Sequence, residues 1–516
     1  MPKTLRSLAA LLTLLALPLT AQQQSAAPPP DWDAHITRVL ERFQVPGAAV
    51  AIVKDGQVVM AKGYGLKALG GSDSVDAHTR FGIASNTKII TATALALLVD
   101  EGKVQWDAPV VRYLPWFAMH DPWVTRELTV RDLLVHRSGL GLGAGDLLWW
   151  PPSTYNRREI VERLRYIKPN TSFRSAYAYD NVLYGVAAEV IEAVSGQSWE
   201  AFVKRRILDP VGMTESDVRF PGVDSVANLA LTHAEVNDTV RVVPPFVGDN
   251  VNPAGGVMSG AADMAKWMIV QLDSGKVAGS ARLYSANSAS QLWRIITPLG
   301  TGPGPAGFEH LGPQFNGYAL GMGVRDYRGT KLLTHGGGLP GYVSVVAMIP
   351  SQRLGIVVLT NAETSALAPI MYHALDHYLG VDSIPDYLDY DAARERNRRV
   401  LTQAAAARDT ASRPSLPMAS YAGTYRDAWY GDIVIGEEAG KLVLRFSRTP
   451  LLVGDMEHWQ HDSYVVRWHD RTLRADAYIT FALNPDGTIA QARMAPTSPA
   501  VDFSFDFQDL ELVRIP

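Results

Sequence analysis

The chain has 516 residues, of which 47% are hydrophobic and 19% are charged, and its formal net charge is −4. This composition is typical of a globular protein of about two to four domains, and the balanced charge argues against binding to nucleic acid or to an anionic membrane. There is no cysteine, which excludes disulfides, thiolate chemistry and a lipid-modified cysteine.

The N-terminus has the pattern of a secretory signal peptide. Two basic residues precede an apolar run at residues 8–19, and Ala21 stands before a polar stretch. The run is short for a membrane span. We therefore expect residues 1–21 to be cleaved and the mature protein, without a membrane span, to be secreted or periplasmic, with a retained anchor as the alternative. Residues 22–32 are predicted to be a disordered tether.

Strand patterns stand at both ends of the region from residue 33 to 380. Residues 48–53 and 58–61 are apolar runs around a turn, which predicts a hairpin, and residues 343–349 and 355–359 form a second such pair. The pattern between them is mainly helical and is broken by glycine and proline. It predicts an α/β (α+β) domain in which an antiparallel sheet is flanked by helices and an inserted helical lobe.

The composition changes at the end of this region. Residues 381–418 are rich in arginine, alanine and proline and are predicted to be a helix and linker. Residues 419–516 alternate short strands with turns, which indicates a small all-β barrel or sandwich. Phe503, Phe505 and Phe507 alternate with polar residues, the period of a half-buried strand.

Ser85 and Lys88 stand three residues apart at the start of an apolar run at residues 89–98. Residues three apart on a helix share a face, so the lysine amine can reach the serine hydroxyl. A serine hydroxyl needs such a base to act as a nucleophile at neutral pH. The spacing alone is weak evidence, because S-x-x-K should occur by chance about once or twice in a chain of this length.

A second pattern, Tyr179-Asp180-Asn181, lies in an aromatic loop just before a predicted helix at residues 183–194. The structural alternative is a helix cap, since aspartate and asparagine are good N-cap residues.

A third pattern, His335-Gly336-Gly337-Gly338, follows an apolar strand. Glycines in a strand indicate that another backbone or a ligand approaches closely. The structural alternative is a turn with a surface histidine. A competing H-x-G begins at His310, but it lies in a loop rich in glycine and proline, so we prefer His335.

Taken in this order, the three patterns resemble those of the serine β-lactamase-like hydrolases. That superfamily includes class C β-lactamases, D-Ala-D-Ala carboxypeptidases, D-aminopeptidases and related esterases. Residues 128–140, 253–259 and 318–323 also resemble sequence segments that are typical of this superfamily. The resemblance covers about residues 33–380, and residues 419–516 resemble the lipocalin-like β-barrel that often follows this domain in bacterial members.

The resemblance implies a role for each side chain. Ser85 would be the nucleophile, and Lys88 the electrostatic partner of Ser85 and Tyr179. Tyr179 would shuttle protons, as general base in acylation and general acid to the leaving group. Asn181 would hydrogen-bond the substrate amide and hold Lys88. His335 stands where other members have a lysine.

The resemblance also implies roles for the backbone. The N–H groups of Ser85 and Gly338 would form the oxyanion hole, and the helix dipole behind Ser85 would stabilise the same charge. Gly336 and Gly337 would allow the substrate to lie along the strand edge.

These expectations predict an exported serine hydrolase that acts through an acyl-enzyme on short peptides or amides, with D-residues among the candidates, as a carboxypeptidase or aminopeptidase does. His335 argues against a β-lactamase, because histidine is largely neutral at pH 7. The alternatives are a carboxylesterase or weak β-lactamase, and a non-catalytic penicillin-recognising or ligand-binding protein.

The expected partner is a small-molecule or peptide substrate, with no nucleic acid and no cofactor. The barrel is a candidate oligomer contact or gate over the site. His373 and His377 have the spacing of zinc ligands, but the glutamate of H-E-x-x-H and a third ligand are missing, so we expect no metal.

Overall fold

The computed structural model describes residues 27–220, 228–277, 281–393 and 408–515. The predicted signal peptide, the first part of the predicted tether and much of the predicted linker helix lie outside these residues. The tether ends sooner than predicted, because the first helix begins at Trp32, whose side chain is buried.

An eight-stranded antiparallel sheet forms the centre of the first domain, in the order β2-β1-β12-β11-β10-β9-β8-β7. Its strands are β1 Gly47–Lys54, β2 Gln57–Gly65, β7 Thr297–Pro298, β8 Asn316–Tyr318, β9 Gly323–Tyr327, β10 Thr330–Leu339, β11 Tyr342–Ile349 and β12 Leu354–Thr360. The N-terminal hairpin pairs with β12 from the far end of the domain, which confirms the predicted closure of the sheet by both ends.

Two short two-stranded sheets lie among the helices. They are formed by β3 Phe81–Gly82 with β6 Met258–Ser259 and by β4 His233–Glu235 with β5 Val240–Val242.

Helices cover both faces of the main sheet. They are α1 Trp32–Arg42, α2 Thr87–Asp100, α3 Pro122–Glu127, α4 Arg157–Arg163, α5 Val182–Ser195, α6 Trp199–Val203, α7 Asp209–Val211, α8 Asn252–Gly255, α9 Ala261–Leu272, α10 Ala286–Leu292 and α11 Leu367–Tyr378. None of these described helices is long and apolar enough to cross a bilayer.

Strand β1 is buried on both faces, which explains its unbroken apolar sequence. Ala48, Val50 and Ile52 pack into the core beneath α1 and α11, whereas Ala49 and Ala51 pack into the larger core that contains α2, α5 and α9. The period of two in a strand thus distributes one sequence between two cores.

The C-terminal domain is a closed eight-stranded antiparallel barrel, as predicted. Its strands are β13 Gly423–Asp427, β14 Gly431–Glu438, β15 Lys441–Phe446, β16 Val453–Gln460, β17 Ser463–Trp468, β18 Ala477–Leu483, β19 Ile489–Pro496 and β20 Leu512–Ile515.

The strand predicted around Phe503, Phe505 and Phe507 is wrong. These residues lie in the connection between β19 and β20, and Phe507 begins a 3₁₀ turn. The polar residues between them are buried, because Ser504 and Asp506 hydrogen-bond to the first domain. The alternation therefore arises from contact between domains and not from a sheet.

Candidate active site

Ser85 lies in a tight 3₁₀ turn, Ala84–Asn86, that runs directly into α2. The residue before it, Ala84, has a positive φ of 48°. Alanine rarely adopts this conformation, which persists only where surrounding structure imposes it. Lys88 follows within the first turn of α2, and its Nζ lies 3.1 Å from Ser85 Oγ. The three-residue spacing thus places the Lys88 amine within hydrogen-bond distance of the Ser85 hydroxyl.

Lys88 is fully buried, and each of its three possible N–H donors has an acceptor. Besides Ser85 Oγ, its Nζ donates to Asn181 Oδ1 at 2.7 Å and to the carbonyl of Ala254 at 2.9 Å. Burial lowers the pKa of Lys88 to about 7, although the nearby carboxyl groups of Asp146 and Asp180 raise it in part. The amine can therefore change charge near neutral pH.

Tyr179 and Asn181 lie in the loop before α5, and both side chains contact Lys88 near Ser85. Lys88 Nζ lies 4.8 Å from the centroid of the Tyr179 ring. Burial raises the pKa of Tyr179 above its usual value, and a side-chain hydrogen bond with Ser85 opposes this shift. Asn181 donates its Nδ2 to Asp146 Oδ2 at 2.8 Å. The Asn181 side chain thus links Lys88 to the carboxyl group of Asp146 through two hydrogen bonds.

His335 is neutral and has a partner on each nitrogen. Its Nδ1 lies 2.6 Å from the carbonyl oxygen of Gly336, which can only accept, so Nδ1 carries the proton. Nε2 then accepts from the Tyr318 hydroxyl at 2.7 Å. Burial, with Lys88 nearby, lowers the pKa of His335 to about 3. The imidazole therefore provides no cation for a substrate carboxylate.

The glycine run forms the second half of β10, beyond the reach of β9. Pairing with β9 ends at Thr334, whereas residues 335–339 continue to pair with β11. A Cβ on Gly337 would lie 2.4 Å from the carbonyl oxygen of Ile83, so only glycine lets β10 approach the turn that holds Ser85 this closely. The arrangement leaves one edge of the strand facing Ser85.

These segments meet at a cavity of about 320 Å³. The predicted residues on its wall are Ser85, Tyr179, Asn181, His335, Gly336, Gly337 and Gly338. Lys88 lies beneath them. Much of the remaining wall is apolar and includes Trp149, Trp150, Phe220, Phe246, Val251 and Met258.

A second cavity of about 610 Å³ continues from the first and lies between the two domains. Both cavities are lined by Trp150, Phe246, Gly338, Leu339 and Asp502. The barrel contributes further residues to the second cavity, which are Pro450, Leu451, Asp470, Thr472, Leu473, Arg474, Ala500 and Phe505. The cleft therefore extends from Ser85 to the second domain.

Several residues of the site carried no signal in the sequence. Asp146 is fully buried, and burial raises its pKa to about 7. It lies outside the motifs, as do Ser504 and Phe503 of the second domain. Tyr318 begins the family-like segment at residues 318–323, which gives it no role of its own. The hydrogen-bond partners of Asp146 come from distant parts of the chain, so they are known only from the folded structure.

Asp180 and His136 form a second buried pair next to Tyr179. Asp180 donates its backbone N–H to His136 Nδ1 at 3.2 Å, and the two rings of His136 and Tyr179 lie 4.3 Å apart. Burial lowers the pKa of His136 and raises that of Asp180 to about 7. The histidine is therefore neutral and packs behind the tyrosine.

The other histidine candidates lie elsewhere. His373 Nε2 is 3.2 Å from Asp31 Oδ1, and its ring stacks on His35. His377 Nε2 lies 3.2 Å from the carbonyl oxygen of Ala27. Within the described residues no group of three or more candidate ligands could hold a metal ion. His310, the competing H-x-G residue, bonds to the Tyr387 hydroxyl instead of lining the cavity.

Each of the two domains matches a known protein family. Residues 32–379 match the family described as Beta-lactamase, and residues 407–514 match a Domain of unknown function (DUF3471). A protein of Aspergillus campestris, "Unguisins hydrolase ungD'", is 30% identical over 493 residues, which cover 89% of this chain and 88% of that protein.

Two solved structures have a similar fold. The octameric penicillin-binding protein homologue from Pyrococcus abyssi has a TM-score of 0.58 and 22% identity, and the match covers 94% of this chain and 99% of that chain. A D-stereospecific amidohydrolase from Streptomyces sp. has a TM-score of 0.54 and 21% identity, over 68% of this chain and 100% of that chain. The first match therefore spans both domains, whereas the second spans about two thirds of the chain.

Proposed function

Because the chain belongs to the beta-lactamase family, we propose that it is a serine hydrolase that forms an acyl-enzyme at Ser85. The observation that carries the proposal is the 3.1 Å contact between Ser85 Oγ and the buried amine of Lys88. Burial lowers the pKa of this amine to about 7, so a useful fraction is neutral and can accept a proton. A serine beside such a base is an activated nucleophile.

In the acylation step, Ser85 Oγ attacks the substrate carbonyl while its proton passes to Lys88. The negative charge on the carbonyl oxygen would be stabilised by the backbone N–H groups of Ser85 and Gly338. Tyr179, which its raised pKa keeps protonated, is better suited to give its proton to the leaving nitrogen than to act as the general base that the resemblance implied. Lys88 then returns its proton to Tyr179. Water releases the acyl group by the reverse proton transfers.

The cleft is best suited to an uncharged region of the substrate around the scissile bond. Among the described residues that line the cavity at Ser85 there is no lysine or arginine, and His335 is neutral. A carboxylate next to the scissile bond would therefore lack a partner, which argues against carboxypeptidase and β-lactamase activity. The acidic residue on the wall is Asp502, which could pair with a substrate amine. These features favour an amidase or aminopeptidase.

The second cavity supports an apolar substrate longer than one residue. This cavity has a volume of about 610 Å³, within the range of sites that bind drug-sized ligands. Leu451, Leu473 and Phe505 contribute apolar side chains to its lining, next to the ion pair of Arg474 and Glu363. We propose short peptides or amides with large apolar side chains as substrates. The fold similarity to a D-stereospecific amidohydrolase is the reason to include D-residues in any test.

The experiment is a panel of D- and L-aminoacyl amides, apolar peptides with free or amidated C-termini, p-nitrophenyl esters and a cephalosporin. We expect amidated apolar peptides to be cleaved faster than the same peptides with a free carboxylate. Ser85→Ala should reduce turnover by about 10³-fold or more, because the nucleophile is lost. Ser290→Ala, an exposed serine on α10, is the matched control. Turnover unchanged in Ser85→Ala would refute the assignment.

The same panel decides between the alternatives. Faster turnover of p-nitrophenyl esters than of any amide would indicate a carboxylesterase, which the apolar, neutral cleft also suits. A stable adduct at Ser85 without turnover of any compound would indicate a binding protein. Export of the protein is also proposed, on the basis of the N-terminal sequence, and detection of a shortened chain outside the cytoplasm would test it.

A further inference from the structure

We infer that the C-terminal barrel is part of the active site, in which Ser504 is a positioning residue that holds Asn181 and Lys88 through Asp146. The inference rests on the proposed function, because it concerns how Ser85 is activated. It adds a contribution from the second domain that none of the sequence motifs contains.

A continuous chain of side-chain hydrogen bonds runs from the barrel to the nucleophile. Ser504 Oγ donates to Asp146 Oδ2 at 2.9 Å, and Asn181 Nδ2 donates to the same oxygen at 2.8 Å. Asn181 Oδ1 accepts from Lys88 Nζ at 2.7 Å, and Lys88 contacts Ser85 Oγ. Three hydrogen bonds therefore separate the barrel from the catalytic amine.

The chain of bonds fixes the orientation of the Asn181 amide. Lys88 needs an acceptor there, which is Oδ1, so Nδ2 must point away and find an acceptor of its own. Asp146 supplies that acceptor. Its other oxygen, Oδ1, accepts from Trp149 Nε1 at 2.8 Å, so donors from Ser504 and Trp149 hold the carboxyl group on both sides. Loss of Ser504 leaves Asn181 as the one side-chain donor to Oδ2, which weakens the hold on that side of the carboxyl group.

The bonds are shielded from water, which increases their effect. Asp146 is fully buried, and the relative exposures of Ser504 and Asn181 are 4% and 5%. A buried polar group that loses its partner cannot replace it with bulk solvent. The position of Asn181 is therefore sensitive to a single hydroxyl group on the other domain.

The barrel segment that carries Ser504 is docked firmly. Asp506 accepts hydrogen bonds from the backbone N–H groups of Gly145 and Leu147, at 2.6 and 2.9 Å, on both sides of Asp146. The Phe503 ring lies 5.9 Å from that of Tyr179, edge to face. The segment therefore contacts the loop that carries Asp146 and the catalytic tyrosine together.

The test measures the rate at which a fluorophosphonate labels Ser85 in the full chain. This reaction needs an activated serine but no knowledge of the substrate. We expect Ser504→Ala to slow labelling by about tenfold, the effect of losing one hydrogen bond to an ionisable group. Ser504→Thr retains the hydroxyl and should restore most of the rate. Ser463→Ala, which removes a hydroxyl from the outer surface of β17, should leave the rate unchanged.

A double-mutant cycle separates this role from a general effect on packing. In an Asp146→Ala background Ser504 has lost its partner, so Ser504→Ala should cause little further slowing. Equal fold-changes in both backgrounds would overturn the inference, as would wild-type labelling by Ser504→Ala itself. Failure of Ser85 to be labelled in the wild-type protein would instead overturn the proposed function. Thermal unfolding of each variant shows whether it is folded.

Discussion

Three buried groups with pKa values near 7 lie together next to Ser85. Burial lowers the pKa of Lys88 and raises those of Asp146 and Asp180, each to about 7. The two acids favour the charged form of the lysine, and the lysine favours theirs. Such groups titrate together, so an apparent pKa belongs to the cluster.

This cluster predicts the pH dependence of activity. In the proposed mechanism the neutral amine of Lys88 is the base, so kcat/KM should rise with pH from about 6 to about 8 and then level off. Asp146→Asn removes an anion that stabilises the ammonium form, so the rising limb should move to lower pH, by about one unit. Tyr179 and Asp506 face this cluster, and they and Asp180 stay unchanged in the variant.

The measurement is the pH profile of kcat/KM for the best substrate of the panel, for wild type and variant. Asp486→Asn, an acid in an exposed turn of the barrel, is the control and should reproduce the wild-type profile. A rising limb that does not move in Asp146→Asn would remove Asp146 from the cluster that sets the base.

At the scale of the elements, hydrogen bonds and close packing hold β10 and β11 against the turn that contains Ser85. Ser344 of β11 donates its hydroxyl to the carbonyl of Ile83 at 2.7 Å and accepts from Asn86 Nδ2 at 2.8 Å. Gly337 lies between them with no room for a side chain. Packing against Gly337 thus sets the distance between the edge of β10 and Ser85.

The neighbouring glycines provide a matched pair of variants. In Gly337→Ala the new Cβ would lie 2.4 Å from Ile83 O and 2.6 Å from Ser344 Oγ, so we expect a loss of about 1–3 kcal/mol in the free energy of unfolding. In Gly338→Ala the Cβ meets nothing within 4 Å, so the loss should be within about 0.5 kcal/mol. Denaturant unfolding measures both values, and equal losses would contradict this account of the glycine run.

At the scale of the whole molecule, the barrel is joined to the first domain by buried and surface contacts. Arg163 donates to the carbonyl of Trp429 at 2.7 Å, and Arg448 pairs with Glu159 at 3.1 Å. The deepest contact is that of Asp506, whose side chain is fully buried. Burial, with Asp146 and Asp509 nearby, raises the pKa of Asp506 well above its usual value.

This shift predicts how stability changes with pH. Above about pH 4 the unfolded chain loses the Asp506 proton while the folded protein keeps it, so the contribution of Asp506 to the free energy of unfolding falls as pH rises. Asp506→Asn should therefore flatten the decline between about pH 4 and 7. Denaturant unfolding across this range tests it, and Asp486→Asn should retain the wild-type slope. A slope in Asp506→Asn equal to that of wild type would show that the acid is ionised in the folded protein.

The parts of the site that the sequence predicted are those that local geometry places. Ser85 and Lys88 are held together by one helical turn, and Asn181 stands next to Tyr179 in a single loop. The hairpins were predicted from apolar runs on either side of a turn. The strand predicted around Phe505 was wrong because contact between domains can produce the same alternation.

Local sequence patterns thus determined the two-domain organisation, the sheet with its helices and the three motifs, because each depends on residues close together in the chain. Only the tertiary structure decided that Asp146 and Ser504 join the site, that His335 is neutral with Tyr318 as its partner, and that the cleft extends to the barrel. The physical reason is that burial and hydrogen bonds between distant segments set these charges and contacts, and no local pattern encodes them.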